Sequence, residues 1–181
     1  MKASFLIIIL ALWCLGSTIS LQDPHAPPPS EKASALLAIG ELAPDWKLTD
    51  REGIVHCLSE NYGRVVVMDF WATWCGPCIQ VMPRMQKLHE KYKNKGVLVF
   101  GVNAWETGDP IALVNKKHFT YGLLLKGEQI AKLYGVTILP TIYIIGPDGR
   151  VIYRHEGVEE KNLAGLIEKH LSDPRITSRI W

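Results

Sequence analysis

Near its middle the sequence reads Val65-Val66-Val67-Met68-Asp69-Phe70-Trp71-Ala72-Thr73-Trp74-Cys75-Gly76-Pro77-Cys78, an apolar run followed at once by a close pair of cysteines. A valine-rich run of this kind predicts a central strand over residues 64–70 that is buried on both faces. Beyond the cysteines, a helix is expected over residues 79–95, because apolar residues recur there at helical spacing: Val81, Met85, Leu88 and Tyr92. The cysteine pair is therefore expected where a buried strand gives way to a helix.

The segments on either side of this unit predict an α/β fold. Upstream, residues 46–49 and 54–58 flank a polar turn and predict a β-hairpin. Downstream, the pattern predicts a strand over 97–102, a helix over 109–119, a strand over 123–125, a helix over 128–134, a hairpin of strands 141–145 and 151–155, and a last helix that contains Leu163 to Leu171. The expected architecture is a central mixed β-sheet flanked by helices, with an extra N-terminal β-hairpin.

The spacing of Cys75 and Cys78 places both sulfurs on the first turn of the predicted helix. A helix N-terminus carries unpaired N–H groups and a partial positive charge, which favour a thiolate over a thiol at Cys75. We expect Cys75 at the exposed start of the helix and Cys78 tucked beneath it, close enough to close a disulfide. The pair is thus a candidate redox-active disulfide, in which Cys75 attacks a substrate disulfide and Cys78 resolves the mixed disulfide.

Four segments resemble the exported TlpA/ResA-like group of thioredoxin-like proteins, in the redoxin branch of the thioredoxin superfamily. They are Asp69 to Cys78, Gly40 to Trp46 with Leu48 to Asp50, Gly101-Val102-Asn103 and Tyr134-Gly135-Val136-Thr137-Ile138-Leu139-Pro140-Thr141. The resemblance covers about residues 40–171 and implies a thioredoxin fold and a thiol–disulfide oxidoreductase. It also implies that Pro140 is a cis-proline facing the cysteines and exposes the Leu139 backbone to an extended substrate. Further substrate contacts are implied at Trp74, Gly76 and Pro77.

Asp69 marks a departure from the pattern of this group. Many members carry a glutamate three residues after the second cysteine and an asparagine in the preceding strand, where this chain has Val81 and Asp69. Asp69 stands where thioredoxins hold their buried carboxylate. In an apolar strand its charge is costly unless the acid stays protonated or finds hydrogen-bond partners. We expect Asp69 to have a raised pKa and to act as the general base that takes the proton from Cys78.

The N-terminal residues predict export. Lys2 precedes an apolar run over residues 5–15 and then small or polar residues, the pattern of a secretory signal peptide, although residues 3–19 could also serve as an uncleaved membrane anchor. A proline-rich segment follows. The expected organisation is a signal peptide or anchor over 1–20, a linker over 21–39, a thioredoxin domain over 40–172 and a C-terminal tail over 173–181.

Charge and motif together indicate the class of partner. A net charge of +2 gives no argument for nucleic acid, and membrane contact is expected only if residues 1–20 remain as an uncleaved anchor. Gly76-Pro77 is the thioredoxin dipeptide, and thioredoxin's potential of about −270 mV is reducing. We therefore expect a reductase of exported proteins that contain disulfides, recharged by a thiol electron donor in the membrane. The resemblance implies apocytochrome c as one such substrate, and the predicted dithiol–disulfide cycle requires no cofactor.

Two other functions are known for chains of this fold. A thiol peroxidase of the peroxiredoxin type carries a threonine three positions before its cysteine, where this chain has Ala72. A copper or other metal chaperone would use both thiolates, but structural zinc takes four ligands, and copper chaperones on this fold separate their cysteines by three residues rather than two. Cys57 is left unpaired and is either a third redox thiol or, as is common for free cysteine, a small buried apolar residue.

Overall fold

Strands and helices alternate along the chain as the sequence predicted. The computed structural model describes residues 35–158 and 162–172 of the 181. In chain order its elements are β1 (Lys47–Asp50), β2 (Val55–Cys57), β3 (Val65–Trp71), α1 (Gly76–Tyr92), β4 (Val97–Asn103), α2 (Pro110–Lys116), β5 (Gly122–Leu125), α3 (Glu128–Leu133), β6 (Thr141–Ile145), β7 (Val151–Glu156) and α4 (Leu163–Leu171). A turn of 3₁₀ helix, Ser59–Asn61, follows β2.

The described strands form one mixed sheet of seven strands in the order β2-β1-β5-β4-β3-β6-β7. β3 pairs in parallel with β4, and β4 pairs in parallel with β5. β6 runs antiparallel to β3 and to β7. The β1–β2 hairpin joins the far side of the sheet through the antiparallel pairing of β1 with β5. The predicted mixed sheet with an extra N-terminal hairpin is confirmed.

β3 is the centre of the molecule, and all seven of its residues are buried. Its side chains alternate between two apolar cores, as the pleat of a strand requires. Val65, Val67 and Trp71 belong to the core that also holds the cysteine pair, α1 and α4. Val66, Met68 and Phe70 face the opposite core, which is covered in part by α3 and by residues ahead of β1. Every residue of β3 therefore contributes to fixing where the cysteine loop leaves the sheet.

Several helix boundaries differ from the prediction by one to three residues, and two of these differences have a clear local reason. α1 begins at Gly76 rather than at residue 79, because Cys75 caps its N-terminus and Pro77 lies in the first turn, where a proline costs no hydrogen bond. α2 ends at Lys116 rather than at residue 119. His118 adopts the left-handed conformation with φ +57°, which cannot continue a right-handed helix.

Residues ahead of Gly40, where the sequence placed the start of the domain, already contact the folded core. The Leu37 amide donates to the Tyr143 hydroxyl at 3.0 Å, and Arg154 donates to the Leu36 carbonyl oxygen at 2.9 Å. Gly135, with φ +70°, lies so close to the Ala35 backbone that a Cβ would not fit. The packing of the domain thus reaches back at least to Leu36, into the segment expected to be linker.

The predicted signal peptide or anchor over 1–20, most of the linker over 21–39 and the tail over 173–181 lie outside the described residues. Within the part of the chain that the structure describes, no helix combines the length and the apolar character needed to cross a membrane.

Candidate active site

Three loops meet at one end of the sheet and build the site. The loop that carries the cysteines leaves β3 after Trp71. Because β4 is parallel to β3, the loop after Asn103 leaves the sheet at the same end. β6 is antiparallel to β3 and its first residue, Thr141, pairs with Phe70, so the segment before β6, with Pro140, arrives there too. Residues far apart in sequence are brought together by this topology.

Cys75 and Cys78 form a disulfide across the first turn of α1, with their Cα atoms 5.2 Å apart. Cys75 is the N-cap, and its Sγ accepts a hydrogen bond from the Cys78 amide at 3.2 Å. Cys78 is fully buried and Cys75 is 4% exposed. The expectation of an exposed Cys75 is therefore wrong for the disulfide form, because the bond to Cys78 draws the side chain onto the helix. Of the two cysteines, Cys75 is therefore the one that solvent or a substrate can reach.

The electrostatic setting of the pair favours a thiolate at Cys75 after reduction. The first turn of α1 contains no acidic residue, and the backbone N–H of Cys78 donates to the Sγ of the cap residue Cys75. Gly76 and Pro77 are both exposed. A sulfur anion at the N-cap position receives the Cys78 N–H bond and lies at the favourable end of the helix dipole, and both stabilise the thiolate relative to the thiol.

Asp69 lies in β3 on the side that faces the cysteine core and is fully buried. Neither carboxylate oxygen has a hydrogen-bond partner among the described residues. Burial raises the pKa of Asp69 well above its ordinary value, since no solvent stabilises the charge. Val81, at the position where the family often holds a glutamate, is also buried. Because Val81 carries no charge, Asp69 is the carboxylate that the sequence places beneath the motif.

Trp74 and Trp71 have opposite surroundings. Trp74 is 56% exposed, beside the cysteine pair, and its Nε1 donates to the Trp105 carbonyl oxygen at 2.8 Å. Trp105 adopts the left-handed conformation with φ +52°, and its amide donates to Glu128 Oε1 at 3.1 Å. Trp71 is fully buried. Trp74 thus presents an anchored apolar face to solvent at the site.

Glu106 is a site residue that the sequence analysis missed. Its Oε2 accepts from the Thr73 amide at 2.9 Å and from Asn103 Nδ2 at 2.6 Å. Its Oε1 accepts from the Thr73 hydroxyl at 2.5 Å and from the amides of Thr107 and Gly108 at 2.8 and 2.7 Å. Burial opposes the charge, but these bonds outweigh it, and they lower the pKa of Glu106 to about 2. One carboxylate therefore ties the loop after β4 to the residue two positions before Cys75.

The Leu139–Pro140 peptide bond is cis, as the family resemblance implied. Pro140 is buried and Leu139 is half-buried, while the preceding Ile138 is 54% exposed. The Thr141 hydroxyl donates to the Ile138 carbonyl oxygen at 2.6 Å, which fixes the turn that leads into β6. The contact of Leu139 and Pro140 with a substrate stays a prediction.

Cys57 does not share the site. It is half-buried in β2, and three strands, β1, β5 and β4, lie between β2 and β3. At about 4.8 Å per strand, this separation places Cys57 far beyond disulfide range of Cys75 or Cys78. It cannot act as a second resolving cysteine within the chain. Among the described residues, no group of three histidine, cysteine or acidic side chains is arranged to hold a metal ion.

Comparison with known proteins defines the class of this chain. Residues 39–154 match the model of the AhpC/TSA family, and the chain belongs to that family. Thiol-disulfide oxidoreductase ResA from Bacillus thuringiensis subsp. konkukian is 36% identical over 159 residues, which cover 87% of this chain and 89% of that protein. ResA from Geobacillus kaustophilus is 35% identical over 176 residues, 94% of this chain and 92% of that protein.

A solved structure of similar sequence has the same fold. The crystal structure described as a thiol:disulfide interchange protein DsbE from Chlorobium tepidum superimposes with a TM-score of 0.69 at 36% identity, over 75% of this chain and 99% of that one. The predicted thioredoxin fold and the predicted resemblance to ResA-type proteins are confirmed. With the Cys75–Cys78 disulfide at the helix start, the chain is a thiol–disulfide oxidoreductase.

Proposed function

We propose that this oxidoreductase acts outside the cytoplasm as a reductase of protein disulfides. The observation that carries the proposal is the Cys75–Cys78 disulfide at the N-terminus of α1, on the same side of the sheet as a buried carboxylate, Asp69. Gly76-Pro77 between the cysteines is the dipeptide of reducing thioredoxin. Because the helix N-terminus stabilises the thiolate of Cys75, the reduced enzyme is a good nucleophile toward a substrate disulfide.

The proposed cycle transfers two electrons from the dithiol to the substrate. The Cys75 thiolate attacks a substrate disulfide, so a bond from Cys75 Sγ to substrate sulfur forms, the substrate S–S bond breaks and one substrate thiolate leaves. Asp69, in its ionised form, takes the proton of the Cys78 thiol. The Cys78 thiolate then attacks Cys75 Sγ, which closes the Cys75–Cys78 disulfide and releases the second substrate thiolate. Both released thiolates are protonated by solvent.

Exposed groups around the pair supply the proposed substrate contact. Trp74 offers an apolar face held in place by the Trp105 carbonyl oxygen, and Gly76 and Pro77 are accessible beside it. The Leu139 backbone, at the end of the sheet where the cysteine loop emerges, is placed to pair with an extended segment of substrate. A protein disulfide in an extended or unfolded segment fits this arrangement better than one in a compact core.

Export is proposed from the N-terminal sequence. Lys2 and the apolar run over residues 5–15 have the composition of a signal peptide or anchor. The match to ResA from Geobacillus kaustophilus covers 94% of the chain. Residues 35–181 are a smaller share of the chain than this, so the match extends into the N-terminal segment. A reductase in an oxidising compartment must be recharged, and we propose a membrane thiol protein as its electron donor. The substrate we propose is the haem-site cysteine pair of apocytochrome c.

Four measurements test the proposal. The full chain should reduce insulin disulfides in the presence of dithiothreitol, with a potential near that of thioredoxin in glutathione or dithiothreitol equilibria. A clearly oxidising potential would contradict the reductase assignment. Residues 1–34 fused to a reporter active only outside the cytoplasm should give activity, and its absence would contradict export. Mass analysis of partners trapped by Cys78→Ser in cells should find apocytochrome c, and other exported proteins alone would reject that substrate.

A further inference from the structure

Buried polar atoms without hydrogen-bond partners are concentrated on one side of the sheet. In the described part of the chain these atoms are both oxygens of Asp69, Nε1 of Trp71, the hydroxyl of Tyr121 and Nε1 of Trp46. Trp46 belongs to the opposite core, whereas Trp71 and Tyr121 belong to the core of the cysteine pair. Protein interiors rarely leave such groups unpaired, and those that persist often serve the chemistry of a site.

Gly101 brings these groups together. It is the register partner of Asp69 across the parallel β3–β4 pair. A Cβ built on Gly101 would lie 2.9 Å from Nε1 of Trp71 and 2.9 Å from Cε2 of Tyr121, the ring carbon next to the one that bears the hydroxyl. Both rings therefore fill the space that a side chain at Gly101 would occupy, beside Asp69. Trp71 lies two residues after Asp69 and so faces the same side of β3.

Tyr121 is a neutral donor within electrostatic reach of Asp69. Tyr121 is fully buried, and this burial is the main cause that raises the pKa of its phenol. The negative charge of Asp69 raises the same pKa further. The positive charge of Arg51 acts in the opposite direction. The phenol thus keeps its proton at neutral pH, and no acceptor among the described residues takes it.

We propose that the Tyr121 hydroxyl, with the Trp71 indole N–H beside it, is a positioning group that stabilises the ionised carboxylate of Asp69. This inference rests on the general-base role proposed for Asp69. A base must be ionised before it can accept the Cys78 proton, and an ionised carboxylate in an apolar core requires hydrogen-bond donors. No hydrogen bond joins these groups in the structure. We infer that the bond forms when Asp69 ionises, as catalytic hydrogen bonds often tighten only in the reacting state.

The other elements packed around Asp69 contribute little charge. Its neighbours in the sheet are Gly101 on β4 and Ile142 on β6. α1 contributes the cysteine pair, and α4 contributes the apolar Leu163 and Ile167. Two further phenols belong to the same core, Tyr92 and Tyr153. Burial is the cause of the raised Asp69 pKa. Tyr121 and Trp71 are the donors in this core, among the described residues, that have no other hydrogen-bond partner and can therefore oppose that rise.

The test is Tyr121→Phe in the full chain, which removes one oxygen atom and keeps the ring. Tyr92→Phe is the matched control, because its hydroxyl belongs to the same core but donates to Glu168 Oε1 at 2.7 Å. The protonation midpoint of Asp69 is measured from its carboxyl C=O infrared band, identified by its loss in Asp69→Asn. The rate at which Cys78 resolves a preformed mixed disulfide is measured across pH 5–9.

Tyr121→Phe should raise the Asp69 midpoint by about one pH unit, a tenfold change. It should slow resolution several-fold at pH 7, with recovery at higher pH, and Tyr92→Phe should change neither. An unchanged midpoint in Tyr121→Phe would overturn the proposal. Failure of Tyr121→Phe to fold would also overturn it, because the hydroxyl would then be making a structural bond.

The infrared midpoint separates this inference from the role of Asp69 itself. If Asp69→Asn resolves mixed disulfides at the wild-type rate, Asp69 is not the base. The Tyr121 effect on the carboxyl midpoint is read independently of that rate. Trp71→Phe provides a second measurement of the same kind, since it removes the indole N–H, and it should also raise the midpoint.

Discussion

Glu106→Gln tests the hydrogen-bond network that fixes the loop before Cys75. The substitution keeps the shape of the side chain but replaces one acceptor oxygen with an amide that donates. In the least costly orientation, the new Nε2 takes the place of Oε2. It then faces two other donors, the Thr73 amide at 2.9 Å and Asn103 Nδ2 at 2.6 Å in the wild type. The Oε1 side, with its three bonds, is retained.

The magnitude follows from the pKa of Glu106, which lies at about 2 instead of 4.5. At about 1.4 kcal/mol per pH unit, this difference corresponds to roughly 3 kcal/mol. Solvent screening at a half-buried side chain reduces it, and we expect about 2 kcal/mol. Because the pKa of Glu106 is lower in the folded than in the unfolded protein, its carboxylate stabilises the fold at pH values above the unfolded-state pKa. This stabilisation is lost as the pH falls through the folded-state pKa. The window therefore runs from about pH 4.5 down to about pH 2.

Urea unfolding of the two proteins between pH 7 and pH 2 provides the measurement. At pH 7, Glu106→Gln should be about 2 kcal/mol less stable, with a melting temperature about 5–10 °C lower. The deficit should shrink below pH 4.5 as the wild-type carboxylate is protonated. Glu128→Gln is the control, because Glu128 makes a single bond in this network, to the Trp105 amide, and should cost under about 1 kcal/mol. Equal stability at pH 7, or a deficit as large at pH 2.5 as at pH 7, would refute the reasoning.

Three further substitutions are informative. Asp69→Asn should slow the resolving step at neutral pH. Because the raised pKa of Asp69 means that burial favours the protonated acid, this variant should also be more stable than wild type at pH 8 but not at pH 4. An equal difference in unfolding free energy between the two proteins at both pH values, measured in urea, would contradict this. Gly108→Ala should reduce activity and lower the melting temperature, since its Cβ would lie 2.5 Å from the Thr73 hydroxyl oxygen; an unaffected variant would show that this loop yields freely. Cys57→Ser should leave insulin reduction within about twofold of wild type, and a larger loss would restore a role for the third thiol.

The central strand and the helix after it could be predicted because their signals are local. The apolar run of β3 needs no knowledge of other segments to indicate burial on both faces, and the apolar residues that recur at helical spacing after the cysteines indicate α1 on their own. Asp69 stood out for the same reason, as the single charge in that run. Its complete burial follows from the position of β3 between two cores.

Glu106 and Tyr121 could not be found in this way, because their roles depend on contacts between distant segments. Glu106 bonds Thr73, 33 residues earlier, and an acidic residue in a polar loop gives no sign of this in sequence. Tyr121 reaches the space beside Asp69 only because Gly101 has no side chain. The low exposure of Cys75 likewise depends on the disulfide itself, which pulls the side chain onto the first turn.

The most direct test of the central claim is to trap the mixed disulfide. Cys78→Ser and Cys75→Ser, each as the full chain, are reduced, mixed with a disulfide-bonded substrate such as insulin, quenched with acid and analysed by mass. Cys78→Ser should accumulate a covalent adduct through Cys75, whereas Cys75→Ser should form none and reduce no insulin. An adduct formed by Cys75→Ser through Cys78, with none formed by Cys78→Ser, would contradict the assignment of Cys75 as the nucleophile.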